Sequence, residues 1–199
     1  STPLYSSAAS DVYKRQYMDT ATHIVIGVGL TALATQDPAM SDTFAATATT
    51  LIAGSLIPDG DTVLKLKDNS TYISHHRGIT HSIPFTILWP ILITFLIFVI
   101  FNHTNPLHVW MWAQLAVFLH VFVDIFNSYG TQALRPITNK WIQLGVINTF
   151  DPIIFIILCI GVAVWAFGVH PYLAFFPIIG VLVIYYIAVS YTHLTLPTN

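Results

Sequence analysis

The chain has 199 residues, of which 55% are hydrophobic and only 8% are charged. Soluble domains carry about 25% charged residues, so this chain has too few polar side chains to cover a water-soluble globule. Its seven Lys and Arg residues are too few for a nucleic-acid-binding surface. The single cysteine excludes both a disulfide framework and a thiolate metal cage. The composition therefore indicates an integral membrane protein.

The two ends of the chain differ in character from the rest. Residues 1–17 and 189–199 resemble adapter-derived sequence that is translated at the ends of unrelated reading frames, and such segments are excluded from fold reasoning. We therefore predict a native body over residues 18–188, beginning at Met18 and truncated at its C-terminus.

Six segments of the body have the composition of membrane helices. A spanning helix needs about 20 apolar residues, with a range of about 17–25. The four segments that meet this requirement are 83–101, 107–126, 152–169 and 171–187. Two shorter segments, 22–35 and 43–57, are rich in Ala, Gly and Thr, which let helices pack closely in a membrane. The sequence thus predicts an all-α, polytopic transmembrane bundle of about six helices.

Two long polar loops, 58–82 and 127–151, are separated by two predicted spans and should lie on one side of the membrane. These loops contain all five basic residues of the body, which are Lys65, Lys67, Arg77, Arg135 and Lys140. By the positive-inside rule, this side is predicted to be cytoplasmic.

Histidine and aspartate side chains gather at that same side. The candidate metal ligands are His23, Asp59, Asp61, His76, His81, His120 and Asp124. His120 and Asp124 are four residues apart, so they share one face of a helix, and an ionisable group inside an apolar span is a functional hypothesis by default. Imidazole and carboxylate ligands without thiolates suit zinc, manganese or iron, and magnesium less well. We therefore predict a site for one or two divalent cations.

Four further assignments accompany this site. Arg77 has a planar fork of donors that suits a phosphate or carboxylate of a substrate. Asp61 is also a candidate catalytic residue, and the general base is either metal-bound hydroxide or an Asp that does not bind the ion. Asp151 precedes Pro152, a pattern typical of a helix N-cap, and whether Asp151 and His75 join the site stays open.

Several motifs carry a resemblance to a known family: T-H at 22–23, P-D-x-D at 58–61, H-R-G-x-T-H-S at 76–82 and H-x-x-x-D at 120–124. They resemble the YdjM-like predicted membrane-bound metal-dependent hydrolases, and the stretch from 127 to 151 is similar to a Bacillus-type branch of that family. The resemblance implies a hydrolase of the bacterial cell membrane. Because family members are usually longer, it also implies that a C-terminal portion is missing here.

The leading hypothesis is a hydrolase that acts on a phosphoester, with an amphiphilic or lipid-linked substrate at the depth of the lipid headgroups. One alternative is a transporter or ion-binding membrane protein. Segments 86–101 and 153–167 contain almost no polar groups, which argues against a polar path across the membrane. Another alternative is a regulatory membrane protein whose metal is structural and fully ligated by protein. The sequence does not determine the oligomeric state or the substrate.

Overall fold

The computed structural model describes the backbone of residues 4–60, 77–128, 130–148 and 150–195, and the side chains of those residues from 19 to 192. These ranges form helices and no named strands, which confirms the all-α prediction. The helices are α1 (Leu4–Ala34), α2 (Pro38–Ser41), α3 (Phe44–Leu56), α4 (Ile83–Ile100), α5 (Pro106–Phe126), α6 (Pro152–Ala166) and α7 (Pro171–Thr195).

Within the described ranges, three helices, α4, α5 and α7, are long and apolar enough to cross a membrane by length and composition. Their outer faces carry large hydrophobic side chains, such as Phe95 at 62% exposure and Ile184 at 68%. In water these exposed faces would keep their methylene groups hydrated, and each methylene left in water forgoes about 0.8 kcal/mol of stabilisation. A lipid environment removes this cost, and the exposed faces therefore fit the predicted membrane bundle.

The predicted span 152–169 is shorter than expected. Helix α6 has 15 residues and ends at Ala166, because Gly168 takes a positive φ of 92° and its N–H turns back to the carbonyl of Trp165. At 1.5 Å per residue the helix is about 22 Å long, less than the roughly 30 Å hydrocarbon core of a typical bilayer. The segment is an apolar helix, as predicted, but the prediction of a full-length span was wrong.

The first helix extends further than predicted, and a short helix was missed. Helix α1 begins at Leu4 rather than near residue 22, since no proline or glycine lies between Pro3 and Gly27 to interrupt it. Only its second half, Asp19–Ala34, is apolar. The missed helix α2 starts where Asp37 accepts a hydrogen bond from the N–H of Ala39 at 3.0 Å.

Helix α3 is the centre of the bundle and packs against α1, α4 and α5. Small residues permit this close approach: a Cβ atom added to Gly54 would lie 2.8 Å from the Cβ of Ala116 on α5. On the α1 side, a Cβ at Gly27 would lie 3.1 Å from backbone atoms of α3. The predicted role of the Ala- and Gly-rich segments in close packing is consistent with these contacts.

The two long loops meet at one end of the bundle. The N–H of Gln132 donates to the carbonyl of Arg77 at 3.0 Å, and the N–H of Ile83 donates to that of Arg135 at 3.1 Å. The second loop is closed on itself where Thr131 and Ile142 exchange backbone hydrogen bonds. The described parts of both loops therefore lie beside the ends of α3 and α5, as the spacing of the predicted spans required.

Candidate metal centre

Four predicted ligands converge at the loop end of the bundle. Asp59 follows α3, His81 precedes α4, and His120 and Asp124 lie on successive turns of α5. One ligand atom from each lies within 4.8 Å of all the others. The Nε2 atoms of His81 and His120 lie 3.1 Å and 3.4 Å from Oδ2 of Asp124. The same two atoms lie 3.6 Å and 3.5 Å from Oδ1 of Asp59.

The orientation of His120 is set by the backbone of α3. Its Nδ1 lies 2.7 Å from the carbonyl oxygen of Ser55, and because a carbonyl can only accept, Nδ1 must carry the hydrogen. In a neutral imidazole this leaves the Nε2 lone pair facing His81, whose Nε2 is 3.3 Å away, and the two carboxylates. A backbone partner that fixes the tautomer in this way is typical of metal-ligating histidines.

A second group shares Asp124 with the first. Asp19, His23 and Asp124 also offer ligand atoms within 4.8 Å of one another. Nε2 of His23 lies 3.4 Å from Oδ1 of Asp124 and 3.8 Å from Oδ1 of Asp19. The ring of His23 stacks on that of His120, with centroids 3.9 Å apart. His23 is therefore part of the cluster, although it lies within α1 and does not open it as predicted.

Arg77 places its charge inside this second group. Its guanidinium pairs with Asp19 and lies 3.3 Å from Oδ1 of Asp124. The side chain is only 3% exposed, and its backbone has a positive φ of 60°, which is uncommon for a residue with a side chain. Arg77 therefore binds two carboxylates of the protein itself, an arrangement that the sequence did not indicate.

A further contact holds Asp124 in place. Nδ2 of Asn127 donates to its Oδ1 at 3.1 Å. One carboxylate oxygen thus faces Arg77, His23 and Asn127, while the other faces His81 and His120. Asp124 therefore joins the two halves of the cluster.

The charge states of the ligands outside the spans suit metal binding. Burial lowers the pKa of His81 below its usual 6.5, and the nearby charge of His120 lowers it further against the opposing effect of Asp124. Burial opposes ionisation of Asp59, but the charge and hydrogen bond of His120 outweigh it and hold the pKa of Asp59 below its usual value. A neutral imidazole and an ionised carboxylate are the forms that bind a cation, so His120 would release its Nε2 proton when an ion binds.

The other candidates are of two kinds. Asp61, His75 and His76 lie outside the described residues, and their roles stay predictions. Asp151 is the N-cap of α6: its Oδ1 accepts from two backbone N–H groups, and its Oδ2 accepts from the hydroxyl of Tyr185 at 2.7 Å.

Sequence reasoning missed two residues of the cluster. Asp19 was passed over, although Asp19 and His23 have the same four-residue spacing as His120 and Asp124. Asn127, at the start of the predicted loop 127–151, was not among the candidates, and it is 1% exposed and bonded to Asp124.

Comparison with known proteins identifies the family. The profile of the YdjM inner membrane protein family matches residues 18–195. The chain belongs to this family. In the YdjM family, a curated relative is the Bacillus subtilis (strain 168) protein described as "Uncharacterized protein YfhP", which is 50% identical over 173 residues. That alignment covers 85% of this chain and 53% of the relative, so the chain spans about half the length of the curated relative it matches. No solved structure matches this YdjM family member.

Proposed function

We propose that this YdjM-family protein is a membrane-bound hydrolase that uses one divalent cation held by Asp59, His81, His120 and Asp124. The observation that carries the proposal is the convergence of two imidazole nitrogens and two carboxylate oxygens within 4.8 Å. Nδ1 of His120 is bonded to the carbonyl of Ser55, which leaves Nε2 to an ion, and a divalent cation at the centre of the group would pair with two buried carboxylates, as buried charges require. The donor set therefore fits a metal ion.

The charges of the cluster favour one ion over two. Among the described residues, Asp124 shares one ligand group with Asp59 and a second with Asp19, so the cluster contains three carboxylates. The guanidinium of Arg77 already occupies the position between Asp19 and Asp124 that a second cation would take. Arg77 and one divalent cation together balance the three negative charges, and a buried cluster is most stable when its charges are paired.

The donor types favour zinc or manganese over magnesium. Two imidazoles and two carboxylates provide the mixed nitrogen and oxygen set that zinc and manganese accept, whereas magnesium prefers oxygen ligands and retains several waters.

The four proposed ligands differ in how deeply they are buried. Three ligand side chains are fully buried, while that of Asp59 is 11% exposed. A catalytic ion keeps a position open for water or substrate, and the partial exposure of Asp59 supports access of water from that side.

A divalent cation in this position would polarise a phosphoryl or carbonyl oxygen and activate water at neutral pH. The protein's own groups would orient and balance this chemistry. The backbone of Ser55 and the side chain of Asn127 hold His120 and Asp124 in position. Arg77 would act as a positioning residue through Asp19 and Asp124. This positioning role replaces direct substrate binding by Arg77 in the proposal, and the predicted catalytic role of Asp61 remains part of it.

We further propose that the site faces the cytoplasm. Arg77, Arg135 and Lys140 belong to the two loops that meet at this end of the bundle, and basic loops favour the cytoplasmic side. The matched family is described as an inner membrane protein, which supports a location in the inner membrane.

A structural metal is the second candidate function, because His81, His120 and Asp124 are fully enclosed by protein. One preparation separates the two. The protein is purified in detergent without chelator, its bound metal is measured by elemental analysis, and hydrolysis of p-nitrophenyl phosphate and bis(p-nitrophenyl) phosphate is assayed. The variants are His81→Ala and Asp124→Ala, and His103→Ala, exposed beyond the far end of α4, is the control.

For a hydrolase we expect about one equivalent of zinc or manganese per chain and hydrolysis that both site variants abolish and the control retains. Metal bound without hydrolysis of either ester would favour the structural role. Hydrolysis that survives both site variants would contradict the proposed centre.

A further inference from the structure

A narrow cavity of about 200 Å³ lies between α1, α5, α6 and α7, next to the metal centre. Most of its wall is aliphatic or aromatic, including Ile26, Leu119, Leu158 and Leu182. Its polar residues belong to segments at the loop end of the bundle, and they are Asp19, Thr22, Asn127, Asn148 and Asp151. Asp19 also belongs to the second carboxylate group of the metal centre. The polar end of the apolar cavity therefore reaches Asp19, which shares a ligand group with Asp124, one of the four proposed ligands.

The cavity reaches the outer surface of the bundle. Ile179 lines it and is 47% exposed on α7. In a membrane that surface contacts lipid, since α7 is long and apolar enough to cross the bilayer. A molecule could therefore enter from the hydrocarbon region without passing through water.

The chemistry of the wall limits the occupant to a hydrocarbon. Ordered water needs two to four polar partners, and the aliphatic part of the wall offers few. The volume is also below the roughly 300–1,000 Å³ of common small-molecule sites, so the cavity suits one narrow chain and not a bulky ring system or a two-chain lipid.

We infer that this cavity holds a single hydrocarbon chain of a lipid phosphoester, whose phosphate lies at the metal centre. The inference rests on the proposed hydrolase function and names the substrate class for that site. Three carboxylates would repel a phosphate in the absence of a cation, so binding of the phosphate headgroup depends on the metal. Binding of the hydrocarbon chain depends on the apolar wall of the cavity.

Photolabelling in lipid nanodiscs tests the chain position directly. The probe is dodecyl phosphate with a diazirine at the end of its chain, added to the zinc-loaded protein and mapped by mass spectrometry. We expect labels on cavity residues such as Leu158 and Ile179, displaced by excess unlabelled dodecyl phosphate. Labels spread evenly over the lipid-facing residues, with no displacement, would overturn the inference.

Two matched pairs of variants test the same point by blocking the cavity. Ile179→Trp is compared with Ile184→Trp on α7, and Leu158→Trp with Ile156→Trp on α6. Only the first member of each pair lines the cavity, and both controls face outwards. We expect about a tenfold loss of displaceable labelling in the cavity variants, which corresponds to about two methylene groups that no longer fit. Because the two pairs lie on separate helices, the test still holds if one variant fails to fold.

The result separates failure of the inference from failure of the proposed function. Hydrolysis of p-nitrophenyl phosphate without displaceable labelling of the cavity would overturn the chain site and leave the hydrolase in place. Displaceable labelling of the cavity without hydrolysis of either p-nitrophenyl ester would support the chain site and overturn the hydrolase.

Discussion

His120 on α5 donates a hydrogen bond to the backbone carbonyl of Ser55 on α3 at 2.7 Å. This contact connects the packing of two helices to the chemistry of the cluster, because the position of α3 sets the direction of the His120 ring. The same helix leads directly into Asp59. A change in the spacing of α3 and α5 would therefore move two proposed ligands at once.

Gly54 controls that spacing. In Gly54→Ala the new Cβ would lie 2.8 Å from the Cβ of Ala116, so the helices must separate. We expect a loss of about 1–3 kcal/mol of stability, typical of overpacking, together with weaker zinc binding. Thermal unfolding in detergent and zinc titration measure the two effects. The control is Gly180→Ala on α7, where nothing lies within 4 Å, and it should be neutral or stabilising by up to about 1 kcal/mol. Equal behaviour of the two variants would contradict this role of Gly54.

Metal removal should destabilise the wild-type protein. A ligand present at 100 times its dissociation constant stabilises the folded state by about 2.7 kcal/mol. We therefore expect zinc to raise the unfolding temperature of the wild type and EDTA to reverse the increase. His81→Ala should lose most of this response, because one of four ligands is gone. His170→Ala, on an exposed residue between α6 and α7, should keep it. An equal response in both variants would place zinc elsewhere.

The pair formed by Asp19 and Arg77 should behave as a coupled unit. Both side chains are buried, at 6% and 3% exposure, and removal of one partner from a buried pair costs about 3–5 kcal/mol. We expect Asp19→Asn and Arg77→Met each to be strongly destabilising, and the double variant to cost less than the sum. A double-mutant cycle of unfolding free energies measures the coupling, expected at about 0.5–3 kcal/mol. Strict additivity would show that the two side chains act independently.

Asp37, on the opposite end of the bundle, offers a test of pH dependence. Hydrogen bonds from His108 at 2.7 Å and Trp112 at 2.9 Å outweigh the opposing effect of burial and lower the pKa of Asp37 below its usual 3.8. A lowered pKa in the folded state stabilises the protein above the unfolded value, and this stabilisation is lost as the pH falls through the folded value.

We therefore expect Asp37→Asn to cost about 1 kcal/mol at pH 7 and progressively less below pH 3.8. Unfolding in detergent at a series of pH values measures this difference. Asp42→Asn, on an exposed side chain nearby, is the control and should have little effect at any pH. A loss of stability in Asp37→Asn that stays the same at acidic pH would contradict the argument that the negative charge of Asp37 is stabilising.

Most of the architecture follows from the sequence because apolar runs of known length have few alternatives. The convergence of His81 with His120 and Asp124 could also be anticipated, since the number of intervening spans places their segments at the same end. The pairing of Arg77 could not, because a basic residue beside histidines is equally compatible with solvent, substrate or a buried carboxylate. Its partner Asp19 lies close to a boundary drawn from composition, where its spacing from His23 was overlooked. The early end of α6 depended on the backbone angle at Gly168, which periodicity does not reveal.

The 15-residue length of α6 has a consequence for the surrounding lipid. Its outer face carries Ile153, Ile156 and Ile160, each about half exposed, and this apolar strip is about 8 Å shorter than an average hydrocarbon core. Hydrophobic mismatch of this kind is relieved when the adjacent leaflets thin, at fractions of a kcal/mol per Å. Phosphate groups next to α6 would then lie deeper than elsewhere in the bilayer, closer to the level of Asp151 at the start of the helix.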